Sequence, residues 1–158
     1  MVQRLPMTNE GFQKLKVQLR RIREVERPQN VRDIEIARSH GDLSENAEYH
    51  AAKERQAMLD AQMKQLESKI SLAQVIDPAS LSGERVVFGA TVTLENLESD
   101  EEVVYQIVGD DEAEPNEGRI SLSSPLARAL IGKTVGDEVM VHAPGGDRGY
   151  EIMGVVFK

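Results

Sequence analysis

His40-Gly41-Asp42-Leu43-Ser44 stands between two runs of regularly spaced apolar residues, and this arrangement decides the fold of the first half. Downstream, Leu59, Met63, Leu66, Ile70 and Ala73 are separated by 4, 3, 4 and 3 residues. That is a heptad seam, the pattern of a helix packed along a partner. Counting backwards by the same rule reaches Gln56, Ala52 and Tyr49, so the seam turns small and polar towards the break. Upstream, Phe12, Leu15, Leu19 and Ile22 follow steps of 3, 4 and 3, and Val31, Ile34 and Ala37 extend the apolar line. Gly41 can close the first helix in a left-handed conformation, and Asp42 can begin the second. A connection this short makes the two helices antiparallel neighbours. Helices of about 30 residues give a thin hairpin ~45 Å long, with its tip at residues 40–45.

Thr8 is a good N-cap for the first helix, and Met7 with Phe12 can form a hydrophobic staple. Helix is expected from about Thr8 to Ser39. Pro28 has no N–H for the Glu24 carbonyl, which predicts a local irregularity there. The hairpin is assigned residues 1–77. The turn-rich run Asp77-Pro78-Ala79-Ser80-Leu81-Ser82-Gly83-Glu84 follows, with 78–84 as the linker. Over 85–158 the period changes to 2. Strands are expected at Val86–Leu94, Val103–Val108, Arg119–Ser123, Val139–His142 and Tyr150–Phe157, with Gly145-Gly146 as a hairpin turn. Ser124 as N-cap, Pro125 at the first helical position and Gly132 beyond the end frame a short helix. An α+β fold results: a helical hairpin followed by an antiparallel sheet with one short helix.

Composition narrows the function. The 158 residues contain no cysteine, which excludes disulfides, a thiolate nucleophile and a zinc ribbon. No apolar run approaches the ~20 residues that span a bilayer, and the first residues, MVQRLPMTNEGF, have no apolar core of a secretory signal. A cytoplasmic protein without a membrane partner is expected. Aromatic residues are 4% and Trp is absent, so an aromatic platform for stacking bases is disfavoured. Residues 1–77 hold 13 basic and 12 acidic side chains, whereas residues 78–158 hold 6 and 15. Two modules with different partners fit this asymmetry. Neither half has the basic excess that duplex DNA demands, and no sequence-specific DNA binding is expected.

Chemistry concentrates at the tip. Asp42 and Glu45 lie three residues apart at a helix start, where their side chains can converge. The pair reads either as a capping-box variant or as a half-site for magnesium, an ion that takes one or two protein carboxylates and fills its remaining positions with water or phosphate. Arg38, His40, His50, Lys53 and Arg55 surround it. They read either as a solvated helix surface or as a small basic patch touching a few phosphates. His40 and His50, without cysteine, make a poor zinc site. In the second half, Ser123, Ser124, Asp137 and His142 form no nucleophile motif and read as turn and cap residues. Asp100-Glu101-Glu102 and Asp110-Asp111-Glu112 read as solvated acidic loops, with docking of a basic partner as the alternative.

The run Ala37-Arg38-Ser39-His40-Gly41-Asp42-Leu43-Ser44-Glu45-Asn46-Ala47-Glu48-Tyr49-His50-Ala51-Ala52-Lys53-Glu54 closely resembles the signature of bacterial Gre transcript-cleavage factors. The resemblance covers the whole chain. Pro6-Met7-Thr8 with Gly11 is similar to the family start, and Ala73-Gln74-Val75-Ile76-Asp77 to the end of its hairpin. Val87-Phe88-Gly89-Ala90-Thr91-Val92, Ile107-Val108-Gly109-Asp110-Asp111-Glu112-Ala113 and Ser124-Pro125-Leu126-Ala127-Arg128-Ala129-Leu130-Ile131-Gly132-Lys133 resemble its C-terminal domain. The resemblance implies an antiparallel coiled coil followed by an FKBP-like domain. It implies a factor that enters the secondary channel of bacterial RNA polymerase and stimulates the polymerase's own cleavage of the backtracked RNA 3′ end. Such a factor activates the reaction without being the enzyme.

Residue by residue, Asp42 and Glu45 match the acidic pair that helps hold a magnesium ion shared with the polymerase; no cofactor is implied for the chain alone. Arg38 and Lys53 match the basic patch that steers the nascent RNA 3′ end. Lys53 stands where Arg is also usual, and an ammonium cannot bind phosphate bidentately. Ser124 and Pro125 fall in the segment used against the polymerase at the channel rim. Channel inhibitors that do not stimulate cleavage, the alternative function, carry extra acidic residues at the tip in place of Asp42-Leu43-Ser44-Glu45. A prolyl isomerase would need an aromatic-lined pocket, and residues 85–158 offer only Phe88, Tyr105, Tyr150 and Phe157.

Overall fold

The computed structural model describes residues 3–41 and 46–158. It divides into two compact units, Phe12–Leu72 on one side and Gln3–Gly11 with Ala73–Lys158 on the other.

The first unit is the helical hairpin. Helix α1 (Asn9–Arg21) runs into a π-helical turn, Ile22–Glu26, and then α2 (Arg27–Arg38). Helix α3 (Ala47–Leu72) returns alongside. Thr8 caps α1 as expected, its hydroxyl accepting from Gly11 N–H at 3.1 Å. The irregularity attributed to Pro28 is the π turn just ahead of it. An α-helical turn would require Pro28 to donate to the Glu24 carbonyl; the chain widens first, with Arg27 N–H bonded to the Ile22 carbonyl. The extra residue shifts the phase of everything beyond. Val31, expected in the seam, is 48% exposed, and Asn30 is buried instead at 2%. The line therefore runs Ile22, Glu26, Asn30, Ile34, Ala37. Asn30 satisfies its burial by donating Nδ2 to the Ala52 carbonyl across the hairpin at 2.9 Å. A buried asparagine in such a seam fixes register, because any slip leaves its amide unpaired. The α3 seam follows the heptad reading, with Leu59 only 1% exposed. Arg23–Glu67, Arg27–Asp60 and Arg55–Glu26 pair across the outside at 2.6, 3.5 and 3.4 Å. Such exposed pairs contribute little each.

The hairpin assignment of residues 1–77 is too long at both ends. Leu5–Thr8 forms strand β1 and Ala73–Ile76 forms β2, paired in parallel, and both belong to the second unit. Glu112 explains the attachment. Its carboxylate accepts from Thr8 N–H at 3.0 Å, from the Thr8 hydroxyl, and from Gly109 N–H at 2.9 Å. Arg119 lies 3.6 Å away. Glu112 is thus an internal clasp with a side chain 6% exposed, which corrects its reading as part of a solvated acidic loop. Gly11 leaves room for it, since a Cβ there would collide with the Glu112 carboxylate as it is held by Thr8.

The remaining strands are β3 (Thr91–Asn96), β4 (Glu102–Val108), β5 (Arg119–Ser121), β6 (Glu138–Ala143) and β7 (Gly146–Val156), ordered β5-β4-β3-β7-β6. Antiparallel pairing holds except for β4 and β5, which are parallel. The reason is the connection: 3₁₀ turns at Asp110–Glu112 and Pro115–Glu117 carry the chain back before β5 starts. Val86–Phe88, expected as strand, is instead irregular; Gly89 at φ +89° turns the chain there. Helix α4 (Pro125–Leu130) matches expectation: the Ser124 hydroxyl accepts from Ala127 N–H, and Gly132 follows at φ +87°. Ala127 and Leu130 pack from α4 into the core with Val92, Leu94, Ile107 and Ile152.

Candidate functional site at the hairpin end

The end of the hairpin is built from two helix termini. Helix α2 closes through His40 N–H to the Ala37 carbonyl at 3.2 Å and Gly41 N–H to the Arg38 carbonyl at 3.3 Å. Gly41 adopts φ +104°, the left-handed conformation anticipated for a helix end. Asp42 and Glu45, the acidic pair, lie outside the described residues. Asn46 immediately precedes α3, which begins at Ala47.

The cap of α3 is Asn46. Its Oδ1 accepts from Tyr49 N–H at 3.1 Å, the N-cap to N3 bond of a helix start. At least this N–H of the first turn of α3 is therefore capped by Asn46 rather than by the acidic pair. The sequence contained the signal, an Asn directly before a helix-favouring run. Asp42 masked it, being an equally good cap four residues earlier. Asn46 also reaches backwards, with Nδ2 donating to the Ala37 carbonyl at 2.7 Å.

Arg38 and Lys53 are both exposed, on opposite helices. Arg38 adjoins Ala37 and so stands level with Asn46. Lys53 is seven residues past Asn46, roughly 10 Å further down α3. Its Nζ donates to Gln56 Oε1 at 2.8 Å. The two cations thus form a ladder along the hairpin rather than one cluster. His40 pairs with Glu48 at 3.3 Å, and the His50 ring meets Tyr49 edge-on with centroids 5.8 Å apart. Among the described residues no group of three or more His, Asp or Glu could hold a metal ion.

In the second unit, Ser124 and Pro125 start α4. A hydroxyl cluster that the sequence reading missed lies just before them. Ser121 donates to Asp110 Oδ1, and Ser123 donates to the same oxygen at 2.8 Å. These two hydroxyl bonds, Ser121 first, hold the Asp110 carboxyl below its usual range. Asp137 accepts from Thr134 N–H at 2.9 Å in a turn, as read, whereas His142 lies in β6 and bonds its cross-strand partner Asp147 of β7 at 2.9 Å. Tyr150 is buried, and Phe88, Tyr105 and Phe157 pack against the same core, so the aromatics of this unit serve its interior.

Two family descriptions match this chain, one for each part of it. Residues 5–75 match the N-terminal part described as "Transcription elongation factor, N-terminal", and residues 81–156 match "Transcription elongation factor, GreA/GreB, C-term". These two matches define a transcription elongation factor, and the chain belongs to the GreA/GreB family. Among individual relatives it is similar to transcription elongation factor GreA of Brucella anthropi, 56% identical over 156 residues and covering 99% of each chain. GreA of Acidiphilium cryptum is 57% identical over 156 residues, again covering 99% of each. The crystal structure of Gfh1, a GreA factor homologue from Thermus thermophilus, aligns over 97% of this chain and 99% of its own, at 28% identity and TM-score 0.44. No described helix is long and apolar enough to cross a membrane.

Proposed function

We propose that this elongation factor acts inside bacterial RNA polymerase, in the cytoplasm, by stimulating the polymerase's own cleavage of backtracked RNA. The hairpin enters the secondary channel and brings residues 42–45 to the active site, while Ser124 and Pro125 contact the channel rim. The observation that carries this reading is family membership over both parts of the chain, residues 5–75 and 81–156; the bond from Tyr49 N–H to Asn46 supports it, because that position of the helix start does not fall to the acidic pair.

Asp42 and Glu45 would hold a magnesium ion shared with the polymerase. Two carboxylates three residues apart suit magnesium, which leaves its other positions to water and phosphate. When bound, the ion supplies activation of the attacking water and charge stabilisation at the phosphodiester. The chain's own residues do the remaining work. Arg38 and Lys53, on successive levels of the hairpin, would hold phosphates of the extruded RNA 3′ segment, and phosphate contacts of this kind position without reading sequence. The chain supplies ligands and orientation, so the hydrolytic site belongs to the polymerase.

The test is a stalled, backtracked elongation complex with magnesium and 3′-labelled RNA. Adding the protein should release short labelled fragments and restore extension when nucleotides follow. Synthesis that falls with no fragment released would establish the alternative, a channel inhibitor.

A further inference from the structure

We infer that Asn46 is a positioning residue for the tip: its amide ties the last turn of α2 to the first turn of α3 and fixes both ends of the segment carrying Asp42 and Glu45. The inference rests on the function proposed above.

The argument is one of hydrogen-bond inventory. Asn46 uses both ends of its amide, Nδ2 towards the Ala37 carbonyl at 2.7 Å and Oδ1 towards Tyr49 N–H at 3.1 Å. A side chain that only caps needs the acceptor alone. The donor reaches a carbonyl on the opposite helix. Ala37 is 1% exposed, so this anchor sits in the packed seam rather than on a frayed end. The same carbonyl takes His40 N–H at 3.2 Å, which fills both its lone pairs. On the other side of the break Gly41 is already closed onto Arg38. The bridge therefore sets the separation and angle at which the chain leaves α2 and enters α3. Carboxylates meant to complete a metal site in another protein must arrive within about half an ångström of the productive geometry. A fixed junction sets where the segment that carries them leaves α2 and joins α3. Asparagine is suited to both bonds at once: Asp lacks the donor, and Ser lacks the reach.

The test compares the full-length parent with Asn46→Ser and Asn46→Asp. Both replacements keep a capping acceptor and lose the bridge to Ala37. Both should melt within a few degrees of the parent. In the backtracked-complex assay, the factor concentration giving half-maximal stimulation should stay unchanged. The maximal cleavage rate should fall at least tenfold for Asn46→Ser, and the magnesium required for half-maximal rate should rise. A second readout needs no activity. The chain has no cysteine, so Ser39→Cys and Glu48→Cys can be spin-labelled uniquely on exposed positions flanking the tip. The distance distribution between the labels should be narrow when Asn46 is kept and broad in the Asn46→Ser background. Unchanged distances, or an unchanged maximal rate at every magnesium concentration in a normally melting variant, would overturn the inference. A parent that releases no fragments would instead defeat the proposed function, leaving the distance measurement to judge the bridge by itself.

Discussion

Replacing Glu112 should detach the strand that leads into the hairpin. The carboxylate receives Thr8 N–H and Gly109 N–H on one oxygen, at 3.0 and 2.9 Å, and the Thr8 hydroxyl on the other, with Arg119 at 3.6 Å. Glu112→Gln can keep its amide oxygen towards the two backbone donors. Those bonds then fall from charge-assisted to neutral strength, a loss of about 1 kcal/mol each. The amide nitrogen faces Arg119 and forfeits that attraction, so the sum is about 2–3 kcal/mol. Glu112→Ala leaves two N–H groups and a guanidinium without partners and should cost about 4 kcal/mol or more. Denaturant unfolding followed by circular dichroism measures the difference. Hydrogen exchange localises it, since the amides of Thr8 and Gly109 should lose protection well before those of β3 and β7. A Glu112→Gln protein that unfolds within about 0.5 kcal/mol of the parent, with Thr8 still protected, would refute the clasp.

Three further outcomes are expected. Asp42→Asn and Glu45→Gln should melt like the parent, because Asn46 caps α3, yet stimulate cleavage weakly, with partial recovery at raised magnesium; melting paired with transcript cleavage checks this. Arg38→Ala with Lys53→Ala should weaken crosslinking of backtracked RNA to the hairpin while leaving competition for the polymerase unchanged, and unaltered crosslinking would return both cations to the role of solvated surface. Asp110, whose carboxyl is held low by Ser121 and Ser123, contributes stability above its ordinary titration range, and that contribution disappears as pH falls through its depressed value. The stability gap between the parent and Asp110→Asn should accordingly close in acid, as unfolding curves from neutral pH to about pH 2 will show.

The heptad of α3 was legible because Leu59, Met63, Leu66 and Ile70 outlast every local irregularity. The α2 seam was legible in part: Ile34 and Ala37 lie on it as read, but Val31 does not. One additional residue in the π turn rotated the face, exchanging Val31 for Asn30, and periodicity counted across Pro28 cannot register that. Strands β1 and β2 escaped because each is four residues long and Ala73 also fits the helical seam. Their pairing joins positions nearly seventy residues apart, a contact no local pattern encodes. The β4–β5 pair read as antiparallel by default, since the two 3₁₀ turns between them carry only generic turn residues. At the tip, Asp42 and Glu45 stood out by charge and spacing. Asn46 did not, because its second bond, to Ala37, exists only once the helices have docked. Glu112 was hidden in an acidic run whose members have different fates: one buried beneath Thr8, another gathering serine hydroxyls.

The π turn also governs how the hairpin can change length. Each heptad removed from both helices withdraws the tip by about 10 Å and preserves its facing. Paired deletions of other lengths break the heptad phase of the seam, and unequal ones strand Asn30 opposite a residue other than Ala52. A single deletion between Ile22 and Glu26 is a separate case: the wide turn closes to an ordinary α turn as it loses its extra residue, so Asn30, Ile34 and Ala37 keep their facing. Reach is therefore adjustable in this molecule in steps of seven residues, while the wide turn can hold or release one residue without turning the tip away from its partner helix.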